Sequence, residues 1–126
     1  MKPSLVLTIA SVYLGFVGLA LLLVPTSTVF GLPADPTPVL VAQLRAFSDV
    51  FLGVAVLNWL ARNAEASKAL NAIILGNAVG FGLSTILGAF VALTGGQVAS
   101  WGFTAVSLFC AVGFIAIGRA NMSSAA

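Results

Sequence analysis

Four apolar runs make up most of this chain of 126 residues. Each is long enough to cross a bilayer, whose hydrocarbon core is about 30 Å thick and needs about 20 helical residues. We predict membrane spans over about residues 4–24, 39–60, 69–93 and 101–117. Only helices and closed barrels satisfy their backbone hydrogen bonds in lipid. The expected fold is therefore all-α, an integral membrane four-helix bundle forming a single domain over residues 1–126.

The composition excludes several classes of function. Charged residues are only 6% of the chain, against about 25% in soluble domains, and they form no basic tract that could bind nucleic acid. Histidine is absent and Cys110 is the only cysteine. A Ser-His-Asp triad, an internal disulfide and a multi-cysteine metal site are therefore excluded. We predict no catalytic residues, no bound metal and no enzymatic activity.

The first apolar run follows Lys2, as in a secretory signal peptide. It extends from Leu5 to Val24, which is longer than the 7 to 15 residues of a signal sequence, and no Ala-x-Ala cleavage pattern follows it. We therefore expect this run to be retained as a spanning helix. The Pro-rich segment 25–38 that follows is predicted to be a turn-rich loop.

The positive charges predict an orientation. Lys2, Arg62, Lys68 and Arg119 all lie on one side of the predicted spans, whereas the Pro-rich loop and the turn at Gly95-Gly96 contain no lysine or arginine. Positive residues concentrate in cytoplasmic loops. Both termini are therefore expected in the cytoplasm.

An arginine and an aspartate interrupt the second span. Asp49 lies near its middle and Arg45 lies one turn earlier on the same helix face. Counting from the ends of the other spans places Tyr13, Ser84, Thr85, Ser107 and Cys110 at about the same depth. Because charges within a span normally face a bundle interior, a cavity or a partner charge, these residues are predicted to form a polar layer.

Two interpretations of this layer remain open. In the first, Arg45 and Asp49 pair with each other and specify how the helices dock. In the second, the layer binds a quinone, a polar lipid headgroup, a pigment or a transported ion. Arg45 would then bind an oxygen atom and Asp49 would exchange a proton.

Small residues recur at every fourth position of the third span. This small-residue ridge consists of Ala72, Gly76, Gly80, Ser84, Gly88 and Ala92. Such a ridge lets a second helix approach closely, and close packing drives helix association in lipid. The ridge is predicted either to seat another helix of this bundle or to form the face of a homo-oligomer or partner subunit. Asn58 and Asn77 are separately predicted to hydrogen-bond between the second and third spans.

The order of these features resembles a known family. Four short spans, a Pro-rich outer loop and the pattern Arg45-x-x-x-Asp49-x-x-x-Gly53 resemble the DoxX-like group of small bacterial membrane proteins. The resemblance implies a multi-pass bundle in the bacterial cytoplasmic (inner) membrane. We expect no cofactor; the alternative that the resemblance implies is a quinone, since some members are linked to quinone-coupled thiol or thiosulfate oxidation. Cys110 alone cannot support dithiol chemistry.

Two functions follow as hypotheses. The first is a non-enzymatic accessory or scaffolding subunit that packs in the bilayer against itself or against another membrane protein. The alternative is a protein that binds a quinone or lipid, or that transports a small solute or ion, through Arg45 and Asp49.

Overall fold

The computed structural model describes residues 2–23, 37–94 and 98–124. These residues form four α-helices, α1 (Pro3–Leu23), α2 (Pro38–Ala61), α3 (Lys68–Leu93) and α4 (Val98–Ser124). All four are long and apolar enough to cross a membrane, which confirms the predicted all-helical class with four candidate spans. The Pro-rich loop up to residue 36 and the Gly95-Gly96 turn lie outside the described residues.

The starts of α2 and α3 are capped by hydroxyl side chains. Oγ1 of Thr37 accepts a hydrogen bond from the backbone N–H of Leu40 at 3.3 Å, and Pro38 occupies the first helical position. Oγ of Ser67 accepts from the N–H of Leu70 at 3.2 Å. Both caps satisfy backbone donors that have no partner in the first helical turn. They therefore define where each helix begins.

The four helices pack as two hairpins. α1 lies along α2 and α3 lies along α4 over most of their lengths, whereas α1 meets α4 over less and α2 meets α3 over only a short stretch. Glycines allow close approach within each hairpin. A Cβ at Gly18 would lie 2.8 Å from Cγ of Leu52, and one at Gly88 would lie 2.5 Å from Oγ1 of Thr104.

The shared core lies where the two hairpins meet. Leu7 of α1, Ile74 of α3 and Phe114 of α4 are among its fully buried large side chains. The ring of Phe114 stacks on Phe81 with the ring centroids 5.8 Å apart, and Phe81 contacts Tyr13 at 6.1 Å. This aromatic row connects α4, α3 and α1, so it joins the two hairpins.

The last helix continues beyond the predicted end of the fourth span at residue 117. Gly118 does not end α4. It faces α3, where its Cβ position is only 3.2 Å from Cγ2 of Ile74. One turn later, Nδ2 of Asn121 donates a hydrogen bond to Oδ1 of Asn71 at 3.0 Å. These two contacts keep the end of α4 packed against the start of α3.

Candidate functional site

Two buried asparagines join α2 to α3. Nδ2 of Asn58 donates to Oδ1 of Asn77 at 2.9 Å, and Nδ2 of Asn77 donates to Oδ1 of Asn58 at 2.8 Å. Asn77 also donates to the carbonyl of Ile73 at 2.9 Å. Asn58 is 0% exposed and Asn77 is 7% exposed, so these hydrogen bonds are buried inside the protein. The predicted bond between the two helices is confirmed.

Beside this pair, α2 and α3 stand apart and leave a groove of about 540 Å3. Val50, Phe51, Val54 and Leu57 form its α2 wall. The α3 wall is the first part of the small-residue ridge, namely Ala72, Gly76, Gly80 and Ser84. Buried Leu14 and Phe81 lie at its base. No sequence signal marks the α2 wall, because an apolar residue in an apolar span does not show which face it occupies.

The two ends of the small-residue ridge have different surroundings. Four residues rotate a helix by slightly more than one turn, so each step of the ridge advances about 40° around α3. A Cβ at Gly76 or Gly80 would meet no atom within 4 Å, whereas Gly88 faces Thr104 and Ala92 is buried. Packing within the chain therefore accounts for the end of the ridge at Gly88 and Ala92. The part from residue 72 to residue 84 is open.

Arg45 and Asp49 lie on a different face of α2. Both are exposed, and the described part of the chain supplies neither side chain with a hydrogen bond or an ion pair. The four α2 residues of the groove wall lie about 80–160° around the helix from Asp49. The charged residues therefore point away from the groove. Gly53 continues their face and has no atom within 4 Å of its Cβ position.

The structure brings only some residues of the predicted polar layer together. Tyr13 is half-buried and its hydroxyl interacts with the side chain of Ser107, which the sequence had placed at the same depth. Thr85 donates to the carbonyl of its own helix at Phe81, 2.8 Å away. Ser84 is exposed in the groove wall. The structure does not bring Arg45 and Asp49 together with Tyr13, Ser107, Thr85 or Ser84.

Asp49 lies within a candidate membrane span. It lies at the middle of α2, about as far from Pro38 as from Ala61. On insertion scales a charged residue at the centre of a spanning helix costs about 2.5–3.5 kcal/mol. Arg45, one turn nearer the helix end, can extend its charge toward the interface more easily. A partner of opposite charge would lower the cost for both.

The groove and the open part of the small-residue ridge present mainly apolar atoms. Within residues 2–23, 37–94 and 98–124, no group of three His, Cys, Asp or Glu side chains is arranged to hold a metal ion. The groove is lined almost entirely by apolar groups and can hold a helix or a hydrocarbon chain. Comparison with protein-family models, with curated proteins and with solved structures finds no match to this chain.

Proposed function

We propose that this chain is a non-enzymatic accessory or scaffolding subunit of a membrane, which packs through its small-residue helix faces into a homo-oligomer or a larger membrane complex. The observation that carries the proposal is the open α3 wall of the groove. Gly76 and Gly80 have no atom within 4 Å of their Cβ positions. No other helix of the described chain uses this surface.

Glycine on an exposed helix face favours a role in association. Lipid chains are as apolar as leucine, so helices associate in a bilayer mainly by close packing and polar contacts. Glycine weakens a helix by about 0.5–1 kcal/mol relative to alanine. Two glycines one turn apart on an open face are explained if another helix approaches the backbone there.

We infer that both termini lie in the cytoplasm and that the membrane is a bacterial inner membrane. Lys2 lies at the start of α1, Arg62 follows α2, Lys68 begins α3 and Arg119 lies near the end of α4. All four therefore belong to one end of the bundle. The positive-inside rule supports placing that end in the cytoplasm, and the DoxX-like pattern supports a bacterial membrane.

Native mass spectrometry of protein extracted gently from its own membrane tests the proposal. We expect a discrete homo-oligomer or a complex with other subunits. Gly80→Leu should shift the chain to the monomer, since the leucine blocks close approach of another helix at a position where an added Cβ meets no atom within 4 Å. Gly102→Leu is the control, because Gly102 on α4 is exposed and also has no atom within 4 Å of its Cβ position. A monomeric wild-type chain would contradict the proposal.

The groove also supports a second candidate, the binding of a quinone or lipid through its hydrocarbon tail. Its volume of about 540 Å3 and its apolar walls suit such a chain. The same mass spectra, recorded with an absorption spectrum, distinguish the two candidates. One small molecule per chain, lost in Val54→Trp, would support ligand binding. Retention of that molecule in Val54→Trp would show that it binds elsewhere.

A further inference from the structure

We propose that a second copy of this chain docks on the charged ridge of α2, defined as Arg45, Asp49 and Gly53, with Arg45 of each copy paired to Asp49 of the other. The inference rests on the proposed assembly into a homo-oligomer and names its partner and its face. The two charged residues of this ridge point away from the groove, whereas Gly53 lies one turn before Leu57 of the groove wall.

Charge complementarity indicates that the partner on this face is a second copy of the chain. The face carries one positive and one negative side chain, and both are exposed without an ionic partner in the described chain. Two copies inserted in the same direction are related by a two-fold axis along the membrane normal, which keeps equivalent residues at equal depth. Such a copy offers an aspartate to each arginine and an arginine to each aspartate. Both charges are then neutralised in one contact.

The spacing of the two charges suits this arrangement. Four residues separate Arg45 from Asp49, which is about 6 Å along the helix axis. The long, flexible stem of arginine can bridge that offset to the helix of the second copy. Both reciprocal pairs can therefore form between two crossing α2 helices.

Gly53 allows the helices to approach. It lies four residues after Asp49, is exposed, and has no atom within 4 Å of its Cβ position. Ala46 is also exposed, so small side chains flank the charges along α2. A helix with small residues on one face can pack closely against an equivalent helix. Close approach would exclude lipid from the paired charges.

Arg45 and Asp49 could instead interact in two other ways, which the test distinguishes from pairing between two copies. Arg45 and Asp49 are four residues apart and can pair within their own helix. Arg45 can also bind an anionic lipid headgroup. Neither of these interactions requires a second chain. They are therefore distinguished from the proposal by testing whether variants of opposite charge, carried on separate chains, pair with each other.

The test uses Arg45→Asp and Asp49→Arg, expressed separately and then together with different affinity tags. Each variant alone presents two like charges, so we expect at least a tenfold loss of the dimer by native mass spectrometry. Mixed, the two variants present opposite charges to each other, and the heterodimer should return. The double variant Arg45→Asp with Asp49→Arg should dimerise with itself and not with the wild type.

Three results would overturn the inference. If the mixture fails to restore a dimer although both variants reach the membrane, the pair acts within one helix or on lipid. If the single variants dimerise normally, the copies meet elsewhere, as on the α3 wall, and only this inference fails. If the wild-type chain forms no assembly, the proposed function fails as well.

Cross-linking provides a second test if the charge-reversed variants do not accumulate in the membrane. In a Cys110→Ala background, Gly53→Cys should form a disulfide-linked dimer in native membranes on mild oxidation. Phe16→Cys is the control, because Phe16 is exposed on α1 at a similar depth, as the contacts of Gly15 with Ala55 and of Gly18 with Leu52 indicate. Equal cross-linking at the two positions would overturn the inference.

Discussion

Asn58 of α2 and Asn77 of α3 are joined by two amide hydrogen bonds, of 2.9 and 2.8 Å, that run in opposite directions between the same two side chains. α2 and α3 otherwise meet over only a short stretch. Asn77 also lines the groove between these helices. The pair therefore links the two walls of the groove at one point, while the remaining lining residues leave it open.

The two asparagines should be energetically coupled. Hydrogen bonds between side chains of membrane helices contribute about 0.6 kcal/mol on average and up to about 1.7 kcal/mol. We expect a coupling free energy in this range from a double-mutant cycle of Asn58→Ala and Asn77→Ala. The measurement is the free energy of unfolding in mixed micelles. Asn63→Ala, at an exposed position, is the control and should change little; additive effects of the two substitutions would contradict the prediction.

Gly88→Ala should destabilise the α3–α4 hairpin. The new Cβ would lie 2.5 Å from Oγ1 of Thr104, and overpacking of this kind costs about 1–3 kcal/mol. Adding Thr104→Ala removes that oxygen and should restore most of the loss in the midpoint of thermal unfolding.

Gly82→Ala is the matched control for this substitution. Gly82 belongs to the same helix and has no atom within 4 Å of its Cβ position. Because alanine favours a helix more than glycine does, we expect unchanged or slightly higher stability. An equal loss of stability at positions 82 and 88 would show that the contact with Thr104 is not the cause.

Phe114→Ala should be among the most destabilising substitutions. Phe114 is 0% exposed and stacks on Phe81 with ring centroids 5.8 Å apart, so its removal leaves a cavity between the hairpins. Truncation of a buried phenylalanine costs about 3–5 kcal/mol. Phe109→Ala, on the same helix but 50% exposed, should cost much less when unfolding free energies are compared. Similar losses for the two variants would place the core elsewhere.

The orientation of the chain is testable with fusions. A reporter that is active only in the cytoplasm should work when fused after Ala126, since the positive residues cluster at that end of the bundle. Inserting several lysines into the Pro-rich loop should disturb this topology, because cytoplasmic positive charge determines orientation. Activity of an exclusively extracytoplasmic reporter at the same position would show the opposite orientation.

The sequence by itself determined the class of fold and the number of helices. Hydropathy is local and accumulates along the chain, so four apolar runs predict four helices without knowledge of their neighbours. The Asn58 and Asn77 pair was also predictable, because two amides at matching depths of adjacent apolar helices each need a polar partner. The ends of the helices were less predictable. Gly118, just past the predicted fourth span, lies within α4 and faces Ile74.

Only the tertiary structure decided which faces are covered. Arg45 and Asp49 point away from Tyr13 and from the groove, and the small-residue ridge is open at Gly80 but closed at Gly88. In a soluble protein the alternation of polar and apolar residues marks the buried face. In these helices both the exposed and the packed faces are apolar, so the pattern does not distinguish them. The pairing of α1 with α2 and of α3 with α4 leaves the other faces exposed, and that pairing depends on close side-chain packing between distant parts of the chain.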